Sequence, residues 1–232
     1  MAHDRSNDCT SSAGASFAST RAEAIFVPSH SLEILRPKIE KVRKQASELG
    51  RDPQSIEFFG TFTPIVGRTD KEALQKYEEL RKYATVVDGL VLFSGWTGID
   101  ISNIPLDQEI TTADSLEAGK VTSLLDSLFS TMAIGSPQIV ADEMERWIRK
   151  ADLDGFNIGC VTTPGTFEDL IDLVIPDLRR RGLYPEDLAD SDEPLTAREK
   201  IYGRGQKDLG DDRPGARYKY DVYQQDPPYV EQ

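Results

Sequence analysis

The segment IGSPQIVADEMERWIRKADLDGFNIGCVTTPGTFEDLIDLVIPDLRRRGLYPED, from Ile134 to Asp187, constrains the fold more than any other part of the chain. Ser136 and Pro137 form a helix start, a serine N-cap followed by a proline in the first turn, where a missing N–H costs nothing. Ile139, Met144, Trp147 and Ile148 then supply one apolar side. DGFNIGC, Asp154 to Cys160, reads as a short apolar strand. Thr166 caps a second helix running to about Arg181, where Gly182 stops it. Helix, short strand, loop, helix and stop make one turn of a parallel α/β fold.

The upstream chain has the same rhythm. AEAIFV, Ala22 to Val27, is a short apolar run bounded by Arg21 and Pro28 and reads as a buried strand. Leu32, Leu35, Ile39, Val42 and Ala46 recur at helical spacing from about Leu32 to Leu49, with Ser31 as N-cap and Gly50 as the stop. IEFFGTFTPIVG, Ile56 to Gly67, is rich in β-branched and aromatic residues and long enough to cross a sheet. RTDKEALQKYEELRKYA follows as an amphipathic helix carrying Ala73, Leu74, Tyr77 and Leu80 on one side, with Asp70 favourable at its start. Strands and helices in this alternation pair in parallel through right-handed crossovers. Thr85 to Thr112 is apolar, interrupted by glycine and without clean periodicity, so it reads as an insertion over one rim or as a strand pair. Leu116 to Met132 is expected to be helical.

Composition narrows the functional classes. A net charge of −13 argues against tracking nucleic-acid phosphates or an anionic membrane surface. Cys9 and Cys160 form no CxxC pattern, so neither a disulfide framework nor a structural zinc site is expected. MAHDRSNDCTSSAGAS has no apolar h-region, and no run approaches the roughly 18 apolar residues of a membrane span. A cytoplasmic, reducing location is the default expectation.

Four stretches carry a family resemblance: AGASFASTRAEAIFV, ELGRDPQSIEFFGTFTPIVGRTDKEALQKYEEL, the block from Gly135 to Asp187, and PLTAREKIYG. Together they resemble the C-terminal part of the flavin-dependent monooxygenases of the bacterial-luciferase superfamily, in the branch of nitrilotriacetate and dibenzothiophene-sulfone monooxygenases. The resemblance runs from about Ala13 to Gly203. It implies an α/β fold, a (β/α)₈ TIM-type barrel of which this chain holds a part, with FMN at the C-terminal rim of the strands. It divides the chain into a disordered leader at 1–12, a partial luciferase-like barrel at 13–187 with an insertion at about 85–133, and a polar, flexible tail at 188–232. It also implies a two-component system, in which a flavin reductase supplies reduced FMN and molecular oxygen oxidises a small-molecule substrate at carbon, nitrogen or sulfur.

One functional motif carries over. In the family an AGAS-like turn presents backbone N–H groups and a serine hydroxyl to the FMN phosphate, and here that turn is Ala13, Gly14, Ala15 and Ser16. A phosphate needs convergent donors, and glycine lets the backbone approach closely. The plain alternative for the same residues is a Ser/Ala/Gly-rich leader. No catalytic residue and no metal ligand is assigned. About half of the expected barrel is absent, including the strands that carry the family's flavin-ring and substrate contacts. Apolar interior side chains such as Phe58 and Phe156 would then be partly uncovered, and a homo-oligomer or a separately encoded N-terminal half is the expected partner.

The remaining candidates have simpler explanations. His3 and His30 are the only histidines, and His30, between two serines, reads as a solvated turn residue. Asp152, Asp154, Glu168 and Asp169 fit capping and solvation better than metal binding. Asn157 points into the barrel or is a satisfied interior amide. Trp96 and Trp147 read as packing residues, and Arg179, Arg180 and Arg181 as cations complementing a helix C-terminus. Three functions compete: a flavin-dependent monooxygenase, a non-catalytic remnant or partner subunit of one, and a small α/β binding module.

Overall fold

The computed structural model describes residues 12–27, 31–97, 131–185, 194–210, 213 and 215–218. Four strands form one parallel sheet: β1 (Ala24–Val27), β2 (Glu57–Val66), β3 (Thr131–Gly135) and β4 (Gly155–Ile158). β2 is the neighbour of all three, with Ala24 beside Glu57, Gly155 beside Phe59 and Thr131 beside Phe62. The carbonyls of Phe58 and Phe62 accept from Asp154 N (3.0 Å) and Gly159 N (2.8 Å), whereas Glu57 N and Gly67 N donate to Glu23 O (2.9 Å) and Gly135 O (3.2 Å). Successive peptide groups point to opposite sides of a strand. β1 and β3 therefore follow one another along one side of β2, and β4 occupies the other. Ala22–Val27, Ile56–Val66 and Gly155–Ile158 lie side by side in one direction, as the barrel reading requires.

Helices cover one face of this sheet. α1 (Ser12–Arg21) and α2 (Leu32–Glu48) pack Ala15, Ala18, Leu35, Ile39 and Val42 around Phe58. α5 (Pro137–Ala151) packs Val140, Ala141 and Met144 around Phe62, with Leu170, Val174 and Leu178 completing that cluster. α3 (Asp70–Arg81) and α4 (Val86–Thr97) follow β2. After β4 come α6 (Gly165–Asp169), a π-helical turn (Leu170–Val174) and α7 (Ile175–Arg180). The π turn has a local cause. Pro176 has no N–H to donate, and Ile175 N reaches Leu170 O, five residues back.

Several expectations are corrected. Phe58 points into the helical layer and is fully buried, and Phe156 packs against Phe62 at 5.1 Å between ring centroids. The interior phase was one residue out, because side chains alternate and both phases of β2 carry a phenylalanine. Thr85–Thr112 is helical over Val86–Thr97, not a strand pair. Thr85 and Asp88 cap the helix reciprocally, Asp88 N to Thr85 Oγ1 and Thr85 N to Asp88 Oδ2, both at 3.1 Å. Residues 98–130, including most of the expected Leu116–Met132 helix, lie outside the described residues; Thr131 and Met132 belong to β3. Thr166 does not cap a helix. Its hydroxyl accepts from Val161 N (3.2 Å) and Thr162 N (3.1 Å) and fastens the loop after β4.

Within the polar tail, α8 (Ala197–Tyr202) carries a capping box between Thr196 and Glu199. Arg198 pairs with Glu23 at 2.5 Å, Tyr202 Oη donates to Glu23 O at 2.8 Å, and Arg213 donates to Ser55 O at 2.9 Å. The polarity of this segment reflects pairing to the start of the strands, not solvation alone.

Candidate functional site

The face of the sheet away from the helices is built by the odd-numbered residues of β2. Glu57, Phe59, Thr61 and Thr63 alternate with Phe58 and Phe62, and the register sets Phe26 beside Phe59, Asn157 beside Thr61 and Met132 beside Thr63. Phe26 and Phe59 meet at 6.0 Å between centroids. Phe26 is 66% exposed and Met132 51%, a large apolar exposure for strand residues. Two glycines keep the face low. A Cβ at Gly155 would come within 2.9 Å of the Phe59 ring, and one at Gly159 within 2.6 Å of Thr63 Oγ1. Asn157 is exposed on this face.

At the C-terminal ends of the strands a cleft of about 530 Å³ opens between α3 and α6. Its floor is Pro64, Ile65 and Val66. Lys76 bridges the walls, donating to Asp169 Oδ2 at 2.8 Å and to Val66 O at 2.9 Å. Nearby, Asp70 Oδ1 accepts from Ser136 N at 2.8 Å, tying the turn after β2 to the turn after β3. That hydrogen bond holds the Asp70 carboxyl below the ordinary carboxylate range. Ser136 itself makes no side-chain cap.

Ala13, Gly14, Ala15 and Ser16 form the first turn of α1, where an irregular turn was expected. Alanine is the best helix former, and small side chains let α1 lie close on α2. α1 leads into β1 after two residues and packs on α2. Ala15 is fully buried and anchors the turn, while Ser16 is exposed. The other end of α1 is secured by Arg51, whose guanidinium donates to Ala18 O (3.3 Å), Ser19 O (3.2 Å) and Ala22 O.

The remaining candidates separate. Trp147 is buried and its Nε1 donates to Glu143 at 2.8 Å. Asp152 and Asp154 both pair with Arg43 at 3.0 Å. Arg181 pairs with Asp142, Glu145 and Asp177. His3 and His30 lie outside the described residues. Glu57 was missed. Burial, reinforced by the Asp154 carboxylate and opposed by Arg43, pushes its carboxyl up to about 7. No local pattern signals this, because Asp154 lies 97 positions further along the chain.

Parallel strands alternating with helices on one face, with a cleft at the C-terminal end of β2, define part of a β/α barrel. The chain belongs to the luciferase-like monooxygenase family, whose model matches residues 8–154. It is 36% identical over 206 residues to the long-chain alkane monooxygenase of Geobacillus thermodenitrificans (strain NG80-2), covering 89% of this chain and 46% of that protein. A crystal structure of long-chain alkane monooxygenase superposes with a TM-score of 0.75 over 91% of this chain and 48% of that one. Dimethyl-sulfide monooxygenase of Hyphomicrobium sulfonivorans is 34% identical over 229 residues, covering 90% of this chain and 47% of that protein. A riboflavin lyase, whose structure holds modified FMN and riboflavin, matches with a TM-score of 0.75 at 29% identity, over 90% of this chain and 49% of that one. Dibenzothiophene-sulfone and nitrilotriacetate monooxygenases are relatives as well. The chain spans about half the length of the curated relatives it matches.

Proposed function

We propose that this chain is the C-terminal half-domain of an FMN-dependent monooxygenase of the two-component type, working in the cytoplasm on a small organic substrate with reduced FMN supplied by a separate reductase. The supporting observation is that Ala13–Ser16 form the first turn of α1, the helix that leads into β1, in a domain whose fold holds its ligands at the C-terminal ends of its strands. The donor set suits a phosphate. The helix start carries the positive end of the dipole, Gly14 has no side chain in the way, and Ser16 adds an exposed hydroxyl. When bound, reduced FMN supplies the electrons that activate oxygen. This chain's contribution is to bind, orient and exclude water. Phe26, Phe59 and Met132 offer an apolar wall, and Asn157 a polar group set into it.

The test is FMN titration of the complete 232-residue chain together with the N-terminal half of the domain. Ser16→Ala removes one hydrogen bond to a charged group and weakens FMN about tenfold or more. Equal affinity in both proteins removes Ser16 from the site, and no FMN binding by the completed domain ends the flavin reading. A second reading, a non-catalytic partner subunit, is favoured by one observation: among the described residues β1 and β4 each pair only with β2. FMN binding without oxygen-dependent substrate oxidation selects it.

A further inference from the structure

α8 is fastened to the sheet mainly by polar contacts. Of its six residues only Glu199 is buried, and that carboxylate is engaged within its own segment, accepting from Thr196 N at 3.0 Å and Gly205 N at 2.9 Å. Ile201, its large aliphatic side chain, is 48% exposed. A helix that buries so little apolar surface is held in place by its polar ties, and weakening those ties releases it.

The ties converge on one residue. Arg198 pairs with the carboxylate of Glu23, and Tyr202 Oη donates to the Glu23 carbonyl. The same carbonyl accepts from the N–H of Glu57, the first residue of β2, at 2.9 Å. Tyr202 and the Glu57 backbone thus share an acceptor, and Lys200 and Ile201 line one groove of about 600 Å³ with Glu57. The segment closes over the place where β1 and β2 begin. We propose that α8 is a proton-controlled strap, which holds the entry to β2 closed while Glu57 is protonated and is loosened when Glu57 ionises.

The groups around Glu57 fix the direction of the effect. Asp154, at the entry to β4, opposes a second negative charge, and Glu23 adds a carboxylate at the entry to β1. Arg43, from α2, favours ionisation but is already matched by Asp152 and Asp154. α8 brings Lys200 to the groove, together with Arg198, which is matched by Glu23. Arg179, from α7, lies across the groove over the Tyr184 ring. Burial, reinforced by Asp154, leaves the Glu57 carboxyl titrating at about 7, and burial with Glu23 and Glu57 nearby pushes the Tyr202 phenol up as well. Both groups therefore sit in one water-poor recess. Releasing α8 returns water to Glu57 and moves its titration point towards the ordinary 4.5. The docked value lies above the released one, so docking is firmest below about 4.5 and weakens as pH rises to about 7. Docking is about threefold to tenfold firmer at pH 6 than at pH 8, according to how much of the burial α8 supplies.

The experiment follows amide exchange in the complete 232-residue chain at pH 6, 7 and 8, corrected for the intrinsic pH dependence of exchange. The expected result is that protection over 197–202 falls about threefold to tenfold from pH 6 to pH 8, while protection over 57–66 holds. Glu57→Gln keeps the protection seen at pH 6 at all three pH values. Tyr202→Phe, which cuts the bond to the Glu23 carbonyl, lowers protection over 197–202 at every pH and retains the fall. Exchange over 57–66 serves as the folding control in each protein, and Glu57→Ala replaces Glu57→Gln if the latter fails it. The inference is overturned by parent protection over 197–202 that does not change with pH, by the same fall in a folded Glu57 variant, or by loss of protection over 57–66 in step with 197–202.

Discussion

Arg43 shows how much a single side chain can decide that its sequence neighbourhood does not announce. It sits beside Val42 in the apolar stripe of α2, and its side chain is only 8% exposed. Its guanidinium donates to Pro53 O at 2.8 Å and Ile56 O at 3.2 Å, pairs with Asp152 and Asp154, and lies 5.0 Å from the Phe58 ring centroid. One cation thus joins α2, the entry to β2 and the entry to β4. Glu57 is the carboxylate this arrangement leaves short of water. Its folded titration point, about 7, lies above the ordinary 4.5. Its protonated form therefore favours folding fully below about 4.5, and that contribution is lost as pH rises through 7. Glu57→Gln should raise Tm relative to the parent at pH 8 and leave it nearly unchanged at pH 4.5. An equal difference at the two pH values would place Glu57 in water. Neither role is visible locally, because the carboxylates Asp152 and Asp154 that both side chains answer to lie about a hundred positions away.

Elements were readable where spacing is regular and their packing has one sign. α2, α3 and α5 repeat apolar residues every three or four positions; α2 ends within a residue of its expected bounds, α3 lies two to three residues inside its expected segment, and α5 starts at Pro137 as expected. α4 has apolar residues all around it, Val87 and Val91 both being exposed, so periodicity carried no signal; only the Thr85–Asp88 pair, which went unread, could have marked the helix start. β3 was missed because TMAIG is too short to separate from a loop before Ser136 and Pro137. α8 falls in the segment read as a polar tail, and its docking has no local signal. Its capping box predicts that Thr196→Ala costs about 1 kcal/mol. Faster amide exchange over 197–202, with exchange in β2 unchanged, is the expected measurement. A matched acceleration in β2 would mean that α8 and the sheet open as one unit.

For the assembled molecule, the balance of covered and bare surface matters more than any contact. The helical face is closed around Phe58 and Phe62, while the opposite face leaves Phe26 and Met132 in water. A partner that binds only the folded chain stabilises it by mass action. With the N-terminal half present at a hundredfold excess over its Kd, unfolding should become about 2.7 kcal/mol harder. A denaturation midpoint that does not move with partner concentration would show that the bare face is self-sufficient.

The order of β1, α2, β2, α3, α5 and β4, their parallel direction and the family were written in the chain, because each depends on near neighbours or on residues at regular spacing. Which phenylalanines face the helices, that Ala13–Ser16 opens a helix, and that Glu57 titrates near neutrality depend on contacts between distant segments. Such contacts exist only once α2, β2, β4 and α8 have been brought together. A two-residue alternation is blind to which side will be covered, and a carboxylate's charge state follows from the water it loses.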